Sequence, residues 1–300
     1  MTADTLTDVF EEHRPALMGV AYRMLGRVAD AEDVVQDAWL RWSGADRGDV
    51  REPRGYLVRV TTRLAIDRLR QIRARGETYV GPWLPEPYVT DFGTTATATT
   101  TAPNGAERAE LADSVSLAVL VVLESLSPLE RAVFVLREAF GYPHAEIAAM
   151  LDRGEAAVRQ LAGRARRHVD ERRTRYEVDP ARRRDLTERF LAAAAGGDLE
   201  GLMALLAPDV RLVSDGGGKA SAALRVIVTP GKVGRFLLGV ARKEGAGTSF
   251  RFLELNGGPA VLLLADGRPD SVFQLDVDGS AVRAVYIIRN PDKLRSLSGL

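Results

Sequence analysis

Apolar residues recur at three- and four-residue steps through the first quarter of the chain, and each such run predicts an amphipathic helix. In residues 6–26 the stripe is Phe10, Leu17, Val20, Ala21, Met24 and Leu25, with Gly26 as the stop. In residues 30–42, DAEDVVQDAWLRW, it is Val34, Val35, Ala38, Trp39 and Trp42. Asp30 is expected as the N-cap of this second helix, and Glu32 and Asp33 suit its positive end. Asp33, Gln36 and Asp37 then lie off the apolar side as an exposed acidic and amide face. A polar loop, Ser43–Pro53, leads into a third helix from about Arg54 to Arg75. Tyr56, Leu57, Val60, Leu64, Ile66 and Leu69 make its apolar side, and arginines take the rest. Three helices with short connections predict a compact all-α unit.

The pattern lapses over residues 76–113. Three prolines around Trp83 in GPWLPEP favour extended chain, and the tract rich in Thr and Ala from Thr90 to Ala102 has little to bury and reads as a flexible linker. Trp83 and Leu84 are the exception, because apolar linker residues usually dock on something. Helical periodicity returns over 107–168. Ala118, Leu120, Val121, Leu123 and Leu126 form one face, ending at a Ser127 cap with Pro128 at the first helical position and Glu130 in the first turn. The next helix carries Val133, Phe134, Leu136 and Phe140 and stops at Gly141. A short helix with Ile147 and Ala148 ends at Leu151, a tight turn spans Asp152 to Gly154, and another helix turns Val158, Leu161, Ala162 and Ala165 inward. That is helix-turn-helix spacing. The usual glycine at the first turn position is replaced by Asp152.

From Asp185 the pattern becomes α+β. LTERFLAAAAGGD and LEGLMALLAPD predict two helices, with strands near 209–214, 222–228, 249–256, 260–265, 270–277 and 281–289 and a helix at 231–243. Helices followed by a meander of long strands predict a curved sheet wrapped around helices.

Charge changes this picture more than composition does. The 300 residues carry 41 basic and 41 acidic side chains, yet the balance conceals blocks. Residues 54–75 hold seven arginines against Asp67 alone, and 153–168 hold five against Glu155 alone. Clustered basic charge on helices is the footprint of a phosphate backbone. With no cysteine there are no disulfides or thiolate metal sites. No run approaches the ~20 apolar residues of a membrane span, and the start of the chain has no signal pattern, so a cytoplasmic protein is expected. No cofactor or metal is expected. The histidines, His13, His144 and His168, all precede the α+β region, so no catalytic set is expected there.

DAEDVVQDAW resembles the core-polymerase-binding helix of extracytoplasmic-function sigma factors. RGYLVRVTTRLAIDRLRQIRAR resembles their promoter −10 segment, and LSPLERAVFVLREAFGYPHAEIAAML their fourth conserved region, where the −35 element is read. The C-terminal layout resembles the SnoaL-like cone. WLPEP, DGGGK (Asp215–Lys219) and NPDKL (Asn290–Leu294) together resemble the subgroup in which such a factor is fused to a SnoaL-like domain.

The resemblance implies a multidomain chain of two all-α sigma domains, a helical bundle and a helix-turn-helix, plus an α+β cone. Region 2 would span 1–76, a linker 77–106, region 4 107–175 and the regulatory cone 181–295. The implied partners are the coiled coil of the largest subunit of bacterial RNA polymerase and promoter DNA, with no membrane and a small ligand in the cone left open. Asp33, Gln36, Asp37 and Arg41 would meet the polymerase. The Asp46–Arg54 loop with Arg59, Arg63 and Arg70 would meet the −10 element. Arg153, Glu155, Arg159, Gln160, Arg164 and Arg167 would meet the −35 element, because Arg pairs with guanine, Gln with adenine and Glu with cytosine. Trp83, Leu84, Asp215, Lys219, Asn290, Asp292 and Lys293 would make an interdomain contact. Two other readings stay open: a helix-turn-helix regulator with a ligand domain, and a SnoaL-like enzyme with a DNA-binding appendage.

Overall fold

The structure is a computed structural model that describes residues 3–44, 50, 52–74, 79–89, 116–171, 179–243, 247–279 and 281–299. Most of the expected −10 loop, the Thr/Ala tract and residues 107–115 lie outside the described residues. The chain divides into two compact units, one from residues 1–77 and 119–172, the other from 78–118 and 173–300.

In the first unit, α1 (Ala3–Leu25), α2 (Val28–Gly44) and α3 (Pro53–Ala74) pack together. Their apolar stripes supply the core, where Leu17, Val20, Ala21, Met24, Ala31, Ala38 and Leu57 are fully buried. Gly26 ends α1 with φ +68°, a conformation that costs glycine little. Trp42 is buried, its indole N–H donating to the Leu6 carbonyl at 3.2 Å and its ring 5.8 Å from Tyr56. Asp30 departs from expectation. Helix α2 starts two residues earlier, so Asp30 sits in the first turn rather than at the cap. It is buried and accepts two hydrogen bonds from Arg68 at 2.6 and 3.2 Å. A guanidinium on a neighbouring helix outbids a local backbone amide, because a buried carboxylate needs a charged partner.

From Val119 the same unit continues with the rest of α4 (Leu117–Leu123), then α5 (Pro128–Phe134), α6 (His144–Leu151) and α7 (Glu155–Asp170). Ser127 and Glu130 form a reciprocal capping box at the start of α5. The helix then widens into a π-turn over Val135–Ala139, a feature without a sequence signal, and Gly141 ends it with φ +69°. In the helix-turn-helix, Asp152 takes the left-handed conformation itself, with φ 55° and ψ 56°. Aspartate tolerates that region better than most residues, so the absent glycine is not needed. Gly154 instead caps α7 with an ordinary φ of −70°.

The second unit carries α8 (Pro180–Ala195), α9 (Leu199–Leu205), β1 (Leu206–Asp215), β2 (Ile227–Val228), α10 (Pro230–Ala241), β3 (Thr248–Leu255), β4 (Gly258–Ala265), β5 (Arg268–Asp278) and β6 (Ala281–Ile288). The sheet order is β2-β1-β6-β5-β4-β3, with β1 and β6 parallel and the other pairs antiparallel. This is a mixed sheet backed by helices, as the α+β pattern predicts. Two boundaries differ from expectation. Helix α9 stops at Leu205, because Leu206 already pairs with Val282 in the parallel ladder. The strand expected over 222–228 shrinks to Ile227–Val228. The sheet's inner face is filled by Leu186, Phe190, Leu202, Val233 and Leu237.

Candidate functional site

Helix α2 presents Asp33, Gln36, Asp37 and Arg41 to solvent, while Val34, Val35, Ala38 and Trp42 point into the core. Helical spacing puts Asp33, Gln36 and Asp37 on one strip. Arg68 stands 3.7 Å from Asp33 and, through its bonds to Asp30, fixes α2 against α3. The Asp30 hydrogen bond holds the Arg68 guanidinium above its usual pKa.

The three −10 candidates on α3 have different surroundings. Arg59 stacks over the Tyr56 ring at 5.3 Å. Arg70 makes an exposed pair with Asp67 at 3.3 Å. Arg63 donates its Nε–H to the Met150 carbonyl at 2.8 Å, at the end of the first helix of the helix-turn-helix. Arg73, further along α3, donates to the Leu126 carbonyl at 2.7 Å. Tyr142, just ahead of α6, is half-buried beside Arg54, Glu52 and Glu146, and burial raises its pKa.

A buried arginine that sequence reasoning missed joins the two helical halves. Arg131 on α5 is 1% exposed. It donates to the Leu123 carbonyl at 2.8 Å and the Met24 carbonyl at 2.7 Å, and pairs with Glu124 at 2.7 Å. One guanidinium thus caps the C-terminal ends of α4 and α1, where positive charge is favoured. Its signal was available, since Arg131 lies beside Ala132 and Val135 on the apolar side of its helix. Nearby, Arg23 lies over the Phe140 ring at 5.4 Å.

Of the six −35 candidates, Arg153 lies in the turn and Glu155, Arg159, Gln160, Arg164 and Arg167 on α7; all are exposed, while Val158, Ala165 and Val169 of α7 are buried. Glu155 and Arg159 pair at 2.7 Å, one helical turn apart. Arg164 pairs with Glu130 at 3.3 Å. The Ser127 hydroxyl first, then Arg164 and His168, hold the Glu130 carboxyl below its usual range.

In the second unit, the seven residues singled out in WLPEP, DGGGK and NPDKL come together around one buried ion pair. Asp215 and Lys293 have side chains 0% and 3% exposed and stand 2.8 Å apart. Asp215 Oδ2 also accepts the Leu84 amide at 2.8 Å, and Oδ1 accepts the Tyr79 hydroxyl at 2.5 Å. Lys293 also donates to the Leu84 carbonyl and lies 4.1 Å from the Trp83 ring centre and 5.1 Å from that of Tyr79. Asn290 donates to the Tyr79 hydroxyl at 2.8 Å. Lys219 pairs with Asp292, whose pKa this contact lowers. Gly217 has φ +57°, and a Cβ there would stand 2.2 Å from Asn290 Nδ2, so the loop needs glycine. The chain segment 79–89 is thereby clamped to the sheet domain, and Val89 forms a β-bridge with Leu255. Tyr79, which sequence reasoning did not select, is part of this latch.

Among the described residues, no helix is long and apolar enough to cross a membrane, and no three His, Cys, Asp or Glu side chains cluster as metal ligands.

Comparison with known proteins fits this geometry. The sigma-70 region 2 family matches residues 9–75, which hold α2 and α3. The sigma-70 region 4 family matches 116–169, which hold α4–α7. The ECF RNA polymerase sigma factor SigJ of Mycobacterium tuberculosis is 42% identical over 294 residues, covering 95% of this chain and 91% of its own. A probable ECF RNA polymerase sigma factor of the same species, SigI, is 33% identical over 295 residues, covering 98% and 96%. The crystal structure of the Mycobacterium tuberculosis sigma factor SigJ aligns with a TM-score of 0.75 at 39% identity, over 96% of this chain and 98% of that one.

Proposed function

This chain belongs to the extracytoplasmic-function family of RNA polymerase sigma factors, and from that premise we propose how its surfaces divide the work. Sigma factors bind core RNA polymerase and promoter DNA and catalyse no reaction of their own. The exposed strip of α2, with Asp33, Gln36, Asp37 and Arg41, docks on the coiled coil of the polymerase largest subunit. Arg59, Arg63 and Arg70 of α3 meet the −10 element. Arg153 of the turn and Glu155, Arg159, Gln160, Arg164 and Arg167 of α7 enter the major groove at the −35 element. The observation that carries this reading is the sidedness of α2 and α7, where every candidate side chain is exposed while Val34, Val35, Ala38 and Trp42 on α2 and Val158, Ala165 and Val169 on α7 are buried.

The C-terminal domain acts through the latch. By holding residues 79–89, it shortens the chain left to join α3 to α4. Tether length sets the effective concentration of one DNA-reading half relative to the other, so the latch tunes promoter output. The reading assigns no ligand to the sheet's inner face, which is filled by core side chains.

Run-off transcription with purified bacterial core polymerase tests the central claim. Wild type should direct transcripts, and Asp37→Arg should abolish them together with polymerase binding. Duplex binding without any polymerase binding would instead point to a helix-turn-helix repressor.

A further inference from the structure

Between Asp215 and Glu244 the chain carries no acidic residue, yet it carries Lys219, Arg225, Lys232, Arg235, Arg242 and Lys243. Helix α10 runs through this stretch and gives it a face. Val233, Gly234, Leu237 and Leu238 are buried, whereas Lys232, Arg235 and Gly239 are exposed, as are Arg242 and Lys243 in the turn that follows. Steps of three and four residues put these five on one strip, about 15 Å long from Lys232 to Arg242.

The fold does not account for this strip. Lys232 lies in the first turn of α10, where the helix dipole favours acidic side chains. Among the described residues, no acid pairs with Lys232, Arg235, Arg242 or Lys243. Helix α8, which packs beside α10, is the contrast. Its exposed Arg184 and Arg189 are answered one turn away by Glu188 at 3.2 Å and Asp185 at 3.7 Å. Gly239 is the second anomaly. It stands in the middle of the strip and inside the helix, where glycine costs stability. Its φ is not left-handed, and a Cβ there would meet nothing within 4 Å. Neither backbone conformation nor packing among the described residues asks for it, and its absent side chain leaves the strip open to close approach from outside.

We propose that the α10 strip is a further DNA-binding surface, one that holds the phosphate backbone of the duplex beside the −35 element. Lysine supplies point charges and arginine a fork, and both suit phosphate oxygens. Such contacts fix a protein on the duplex without reading sequence. Chain connectivity keeps the strip near its target. Residues 171–179 alone join α7 to α8, and fully extended they span at most about 35 Å. A duplex held by α7 is therefore presented to the second unit at high effective concentration.

The test uses the full chain and a fluorescein-labelled random-sequence duplex of about 40 base pairs, with anisotropy followed over a salt series. Each phosphate contact contributes about 0.9 to the slope of log K against log salt. The double variant Lys232→Gln with Arg235→Gln should therefore flatten that slope by about two. Arg184→Gln with Arg189→Gln removes the same charge from α8 and should keep the wild-type slope. Gly239→Glu, which puts a carboxylate into the strip, should weaken binding several-fold, while Gly239→Gln, of the same shape, should not. All four positions are exposed on helices, and circular dichroism checks that helix content is kept. A wild-type slope in the α10 double variant would overturn the inference. So would an equal flattening by the α8 variant, or equal affinities of Gly239→Glu and Gly239→Gln. The inference rests on reading α7 as the helix that brings the chain to DNA. Arg159→Gln with Arg164→Gln tests that reading separately on the same duplex: wild-type affinity there would sink it, while the α10 slope decides the strip.

Discussion

Replacing Lys293 with methionine removes one partner from a fully desolvated pair and leaves the rest of the latch in place. At 2.8 Å and an effective dielectric of about 20, the attraction between Lys293 and Asp215 is about 6 kcal/mol. Desolvation of the two ions offsets most of this, so the pair itself adds little net stability. The variant is different, because it strands a carboxylate that is 0% exposed with only the Leu84 amide and the Tyr79 hydroxyl as partners. It also loses the bond to the Leu84 carbonyl and the contact over Trp83. Breaking a buried pair from one side costs about 3–5 kcal/mol, here spent on letting residues 79–89 leave the sheet domain. The Leu84 amide reports that event directly, since it donates to Asp215. At about 1.4 kcal/mol per decade, its hydrogen-exchange protection should fall a hundredfold or more, while core amides of β5 and β6 keep theirs. Adding Asp215→Asn should restore much of the loss, because no buried charge is then unpaired. Unchanged Leu84 exchange in Lys293→Met would refute the latch as the element that holds the linker.

Two further outcomes follow from particular atoms. Gly217→Ala should also open the latch, since its Cβ would collide with Asn290 Nδ2. Gly267→Ala, at φ +75° in the β4–β5 turn with open space around its Cβ, carries a backbone cost of about 1–2 kcal/mol without a collision and should leave Leu84 exchange unchanged. At α5, Glu130 has its pKa lowered from 4.5, chiefly by the Ser127 hydroxyl. Its contribution is therefore complete above its unfolded pKa and lost as pH falls through the folded one. Glu130→Gln should lower Tm near neutral pH, and the difference from wild type should vanish on acidification below the glutamate range.

What could be read from the sequence follows from where the information lies. The stripes of α1–α3 and the turn around Asp152 were legible because periodicity and turn chemistry are local. The Ser127–Glu130 box was legible for the same reason. The latch residues stood out by motif, and what only the structure supplies is the acceptor they share. Asp215 lies more than 130 positions beyond the Leu84 amide it holds. The arginines of α3 were the hardest to read. As a charge pattern they form one basic face, yet Arg68 is bonded to a carboxylate, Arg63 and Arg73 to backbone carbonyls, and Arg59 lies over an aromatic ring. A carbonyl acceptor belongs to every residue and leaves no trace in the side-chain sequence. The π-turn at Val135–Ala139 and the early start of α2 were illegible for a related reason, since both are decided by packing across helices rather than along one.

That difference in acceptors sorts the basic residues of α3 by what they can do. Arg68 holds a buried carboxylate, so pulling it away would strand the Asp30 charge, and it stays with the scaffold. Arg63 and Arg73 give up only a hydrogen bond to a neutral carbonyl, worth about 1.5–3 kcal/mol. Water re-solvates the freed oxygen at a helix end. An acceptor without charge also leaves these two contacts nearly insensitive to ionic strength, whereas the partly exposed Arg68 guanidinium on Asp30 is screened as far as its exposure allows.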